Sequence, residues 1–259
     1  INQPASVGDV EGDGSAEIIV GTALGKVVAF NLNDPSHRYV WHGPQGTAIN
    51  TNIVAADFFG LGRDALAFGT NTGNLFAVLY DPVSGQLKTA VGQLKLAGPA
   101  KGHMLAADFD GDKLPDLIAA SSSAVLSFAP AAGFATRGQP YGANAPPFSP
   151  VSLFTTSDHS CRALVTDARG LLHIIEPAKC SLSKYLPVGE LATGTILCGA
   201  LTGGDCAEAV FLGGNSDKLV YVELSERKAA PEAIPTLAYG GHFERNGLLS
   251  TSTLALIRR

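Results

Sequence analysis

The stretch VGDVEGDGSAEIIVGTALGKVVAFN, residues 7–31, places four acids, Asp9, Glu11, Asp13 and Glu17, in one short bend. Directly behind them comes the apolar run Ile18, Ile19 and Val20. Like charges repel, so such a bend needs either a counter-ion or a set of donors that satisfies it. The passage decides the fold because it recurs. Written below it, AADFFGLGRDALAFGTNTGNLFAV (55–78) and AADFDGDKLPDLIAASSSAVLSF (106–128) repeat its order of events. More worn copies follow in LFTTSDHSCRALVTDARGLLHII (153–175) and GALTGGDCAEAVFLGGNSDKLVYV (199–222). The matched positions Asp9, Asp57, Asp108, Thr155 and Ala200 are 48, 51, 47 and 45 residues apart.

A period near 45–50 residues with several short strands per unit predicts the blades of a β-propeller. Each unit opens with small residues, Val7-Gly8, Ala55-Ala56 or Ala106-Ala107, as an innermost strand crowded at a central axis requires. An acidic or Gly-rich bend leads to a short, wholly apolar strand of the kind covered on both faces. A turn such as TALGK or TNTGN leads to a third strand, and YVWHGPQ (39–45) leaves room for an outer fourth. The expected architecture is all-β: one propeller domain over 1–259, with blades starting near 5, 53, 104, 151 and 196. A sixth, degraded copy is expected at 239–257. The ring has five or six blades, or its remaining blades lie outside these residues. One short helix is expected near LSERKAA (224–230), stopped by Pro231. The Pro- and Gly-rich stretch 129–150 reads as a strand-free exposed loop between blades.

Composition sets the outer limits. Hydrophobic residues make up 46% of the 259 and charged residues 16%, which is too apolar for disorder. No apolar run approaches the ~20 residues of a membrane helix, so direct membrane insertion is not expected. Eight of the 23 acids sit in two loops, leaving 15 against 18 Lys and Arg, with no basic stripe; nucleic acid is not an expected partner. Cys161, Cys180, Cys198 and Cys206 form no CxxC pair and read as structural thiols. No charged-then-apolar stretch follows Ile1, so a signal peptide is expected to be absent or already removed.

The candidate functional residues are the acids. DFDGDKLPD sets Asp108, Asp110, Asp112 and Asp116 at positions one, three, five and nine, the spacing of Asp9, Glu11, Asp13 and Glu17. A tight turn that points alternate carboxylates inward supplies the hard oxygens that Ca2+ takes, with the ninth-position acid closing the cage. Both loops are therefore expected to hold a structural, weakly bound Ca2+. The competing reading makes these acids turn formers that accept backbone N–H groups. Lys113 stands in the third loop where its ammonium could take part of the cation's place. The second loop keeps Asp57 and Asp64 but puts Phe59 at a ligand position. The fourth loop offers only Thr155 and Thr156, and the fifth only Asp205 and Glu208.

The pattern D-x-[DE]-G-D-G-x-x-[DE], followed by an apolar strand and G-K-V, resembles the FG-GAP repeats of integrin α-subunit propellers. Within that superfamily the opening 80 residues are most similar to the integrin-alpha FG-GAP repeat-containing protein 2 type. The coat propellers of the Bardet-Biedl group are second. The resemblance implies a propeller that acts as an intracellular scaffold, in nutrient signalling or membrane traffic, with other protein subunits of a complex as partners. It implies a cytoplasmic chain, with an organelle surface as the site of action in the groups named; a secreted, calcium-stabilised adhesion or carbohydrate-binding propeller is the alternative.

No enzyme is expected. GxSxG, HExxH and GxxxxGK[ST] are missing from the sequence. Asp158, His159, Ser160 and Cys161 are neighbours in SDHSC, but adjacent side chains on a turn diverge, and triads are assembled from distant positions. His103 and His173 read as packed polar residues, and Trp41 as a packing group. An exposed apolar docking patch is expected at 146–154, centred on Phe148 and Phe154.

Overall fold

The computed structural model describes residues 3–31, 34–96, 98–121, 124–142, 148–156, 160–199, 206–214 and 218–227. They form five antiparallel sheets, strung in chain order. The first contains β1 (Ser6–Gly8), β2 (Glu17–Gly21), β3 (Lys26–Asn31) and β4 (Arg38–His42). The second contains β5 (Val54–Ala56), β6 (Ala65–Gly69), β7 (Asn74–Asp81) and β8 (Gln86–Lys95). The third contains β9 (Ala100–Ala107), β10 (Asp116–Ser121), β11 (Val125–Ala129) and β12 (Ala135–Thr136). The fourth contains β13 (Ser152–Thr155), β14 (Cys161–Thr166), β15 (Leu171–Glu176) and β16 (Ser181–Pro187). The fifth contains β17 (Leu197–Gly199), β18 (Cys206–Leu212) and β19 (Leu219–Arg227).

Each sheet is a meander, and the first strands of successive sheets lie side by side: β1 by β5, β5 by β9, β13 by β17. Small residues make that approach possible. A Cβ on Gly8 would stand 2.5 Å from the Ala55 Cβ and 2.8 Å from an Asp64 oxygen, so the β1–β5 seam admits only glycine there.

The core lies between sheets, in four layers. Ile19, Val27, Trp41 and Phe68 fill the first seam, and Ala67, Leu75, Leu117 and Phe128 the second. Ile118, Val125, Ala163 and Ile175 fill the third, and Leu164, Ile174, Ala209 and Phe211 the fourth. Both faces of β6 and β10 are therefore buried, as the apolar runs 65–68 and 117–120 within them require. Each fully buried Leu, Ile or Phe contributes about 1.5–3 kcal/mol by leaving water. Trp41 packs on Phe68 and Phe76 at 5.0 Å between ring centroids, which settles it as a packing group.

Polar stitches cross the same seams. Ser6 Oγ donates to the Ile53 carbonyl, and Ile196 N–H donates to Ser152 Oγ at 3.0 Å. Asn52 pairs with Met104 as a strand neighbour would, donating to its carbonyl at 2.9 Å and accepting its N–H at 2.7 Å.

Three expectations are corrected. The segment expected to become a helix near 224–230 is, as far as residue 227, part of β19. Alternation explains it: Tyr221 and Glu223 face outward while Leu224 is fully buried against the fourth sheet. The stretch 129–150 is not strand-free, because Phe134 is buried against Phe128 and draws β12 into the third sheet as its outer strand. The docking patch expected at 146–154 is not exposed over its described residues, 148–154. Val151, Leu153 and Phe154 are buried in the seams, and Phe148 packs against Tyr141 and His173. The copy expected at 239–257 lies outside the described residues.

Candidate cation-binding loops

The first loop joins β1 to β2, and its bend is made by Gly12 and Gly14 at φ of 79° and 84°. Asp9 turns back onto the bend. Its Oδ1 accepts the N–H groups of Gly12 (2.7 Å) and Asp13 (3.1 Å), and its Oδ2 that of Gly14 (2.9 Å). Glu17 is fully buried; it accepts the Val10 N–H at 2.9 Å and the Asn31 amide at 3.3 Å. The rings of Tyr39 and Tyr80 meet edge to face at 4.8 Å beside the loop, and burial together with Glu11 pushes both phenols above their ordinary range. Glu11, Asp13 and Glu17 each bring one oxygen within 4.8 Å of the others, whereas Asp9 stays with the backbone.

Only neutral donors serve this cluster. Among the described residues, no Lys, Arg or His nitrogen pairs with any of its four carboxylates. Burial pushes the Glu17 carboxyl above its ordinary range, against the Val10 N–H, and the charges of Glu11, Asp13 and Asp9 add to the rise. A set of hard, mutually repelling oxygens fits a hard divalent cation such as Ca2+.

The third loop, between β9 and β10, repeats the bend but has a cationic side chain among its acids. Asp108 accepts the N–H groups of Gly111 (2.7 Å) and Lys113 (2.9 Å). Lys113 holds the turn at φ 72°, the glycine-favouring region, and the cation that enters the cluster is Arg137. Its Nε and Nη2 both donate to Asp116 Oδ1, at 2.9 and 2.8 Å, and its Nη1 pairs with Asp110 Oδ2. Its Nη2 also lies 3.9 Å from Asp112 Oδ2. Asp108, Asp110 and Asp116 share the 4.8 Å grouping; Asp112 does not. Burial outweighs the Arg137 guanidinium and pushes the Asp116 carboxyl up to about 6. Burial opposes the Arg137 charge, but Asp116 and Asp110 prevail and hold it above its ordinary range.

The other loops do different work. Asp57 caps its own bend through the N–H groups of Leu61 and Gly62, both at 2.8 Å. In the fourth, Thr156 pairs with Ser160 at 2.6 Å. In the fifth, Glu208 is buried and accepts the Tyr221 hydroxyl at 2.8 Å, while Asp205 lies outside the described residues.

Sequence reasoning did not find Arg137, Tyr39, Tyr80 or Asn31 as members of these loops. For Arg137 one signal was present: it is the only Lys or Arg between Lys113 and Arg162. Asp158 and His159 of SDHSC lie outside the described residues. His173 instead meets Tyr141 Oη through Nδ1 at 2.6 Å and lies 3.1 Å from Asp167 through Nε2. Asp167 is also held by Arg169 at 2.6 Å. Asp167 and His173 are buried, and the group reads as packing beside the third seam.

Comparison with known proteins bears on the fold. No family model matches the sequence, and no curated protein matches it. Solved structures do match. Sqt1 of Saccharomyces cerevisiae superposes with a TM-score of 0.57 at 13% identity over 83% of this chain and 62% of its own. The Dos1 propeller gives 0.58 at 12% identity over 92% and 58%. BBS1N, crystallised in complex with ARL6DN, gives 0.54 at 11% over 86% and 69%. The chain spans about three fifths of the length of the first two. With five radially ordered meanders and these likenesses, the chain is a β-propeller.

Proposed function

We propose that the chain is a non-enzymatic, FG-GAP-type interaction propeller of an intracellular multiprotein complex, with Ca2+ steadying its first loop. The supporting observation is the outer face of the first sheet, which among the described residues joins none of the buried clusters. Val7, Ile18, Val20, Val28, Phe30 and Val40 share one face by strand register, and none of them is fully buried. The matching positions of the second sheet, Ala55, Leu66, Phe68, Phe76 and Val78, are all covered by the first sheet. The occupant that fits is therefore another antiparallel sheet with an apolar face. Lys26, Arg38 and His42 line the margin of the open face, so the partner sheet carries acidic residues along its own margin. The unbridged thiols Cys161, Cys180 and Cys198 favour a reducing compartment over the secreted alternative.

The test compares partners recovered with wild type, with Val20→Asp and Phe30→Asp, and with Val83→Asp, a control at a position 93% exposed on another turn. The expected result is loss of one set of subunits from the first two variants only. Cross-linking of the reconstituted pair should map to β1–β4. Partners indifferent to both face variants, or turnover of a substrate by the purified chain, would end this reading.

A further inference from the structure

We propose that Arg137 is the built-in cation of the third loop, so that Asp108, Asp110, Asp112 and Asp116 keep their bend without a metal ion. The two acid loops make an internal comparison. Their acids share one spacing, and in both the first acid caps the bend through backbone N–H groups. The difference lies at the ninth position. In the first loop Glu17 meets the neutral amide of Asn31 at 3.3 Å. In the third, Asp116 meets a guanidinium through two N–H groups, and the same guanidinium pairs with Asp110.

Arg137 is placed from both sides. Its own N–H donates to the Ser127 carbonyl at 2.9 Å, which continues the β11–β12 pairing. The next residue, Gly138 at φ 77°, lies so close to the fourth sheet that a Cβ would stand 2.0 Å from the Lys179 carbonyl. The side chain therefore enters the loop from a fixed base. A divalent ion arriving among these oxygens would meet a positive charge already in contact with two of them, and either the ion or the guanidinium would have to leave. The inference holds whether or not the first loop takes Ca2+.

Equilibrium dialysis against Ca2+, with thermal melts in Ca2+ and in chelator, tests it on the purified chain. Wild type and Asp110→Asn are expected to bind the same number of ions and to show the same Ca2+-dependent shift in Tm. Arg137→Met is expected to melt lower in chelator, to bind one further equivalent of Ca2+ and to regain part of the lost Tm. An equivalent of Ca2+ lost from Asp110→Asn would overturn the proposal, as would Arg137→Met failing to gain one. Should Arg137→Met not fold, the wild type and Asp110→Asn comparison decides alone.

Discussion

Asp64 hydrogen-bonds to Asp9 in both directions: its N–H donates to the Asp9 carbonyl at 2.8 Å, and its carboxylate accepts the Asp9 N–H at 2.9 Å. An acid at the ligand end of the second loop thus serves the neighbouring blade. It holds the ninth-position acid's place in the repeat, yet it serves the seam and not the bend. The seams, more than the bends, are where single substitutions should be felt.

Asn52→Ala removes both bonds to Met104 and leaves a buried N–H and carbonyl without partners. The expected loss is about 2–4 kcal/mol. Urea unfolding should show a lower midpoint with an unchanged slope.

Gly8→Val forces a side chain into the space held by Ala55 and Asp64. Overpacking of this kind costs about 1–3 kcal/mol. It should also break the Asp9–Asp64 pair, so amide exchange at Asp9 and Asp64 should accelerate more than exchange in the third and fourth sheets.

Burial raises the thiols of Cys161 and Cys198 to about 12. At pH 8 the native protein should therefore leave both unalkylated by iodoacetamide, and both should react on unfolding. Peptide mass spectrometry reads the difference. Rapid native labelling of either would show that its thiol is not shielded.

Asp116 titrates near 6 in the fold against an ordinary 3.8, so the folded state holds its proton more tightly. The stability it contributes is full below about pH 3.8 and is lost as pH rises through about 6. Relative to Asp116→Asn, wild type should gain stability between pH 7 and pH 4, on the order of 2 kcal/mol at 1.36 kcal/mol per unit. Paired denaturation curves check the sign; a difference that moved the other way would mean that Arg137 dominates the carboxyl.

The blades were legible because their signals are local. Small residues at β1, β5 and β9, and short apolar runs at β2, β6 and β10, repeat at a nearly fixed interval. The bends were legible for the same reason, since all four acids of each lie within nine residues. Arg137 was not, because it reaches Asp116 across 21 residues and only after β12 has paired with β11. Nor were Tyr39 and Tyr80, which reach Glu11 from the first blade's outer strand and from the second blade. The apolar residues of 148–154 misled because a short hydrophobic run marks a buried strand as readily as a surface patch, and here the seams claim it.

A guanidinium carried on the backbone has an effective concentration that geometry sets and that no dilution lowers. Because Arg137 directly follows the outermost strand of its blade, the third bend and the blade's outer margin are tied into one cooperative unit. Peeling that margin away exposes the carboxylates, and losing the carboxylates frees the margin. The response of this region to denaturant should therefore come as a single event, with rim and bend loosening together.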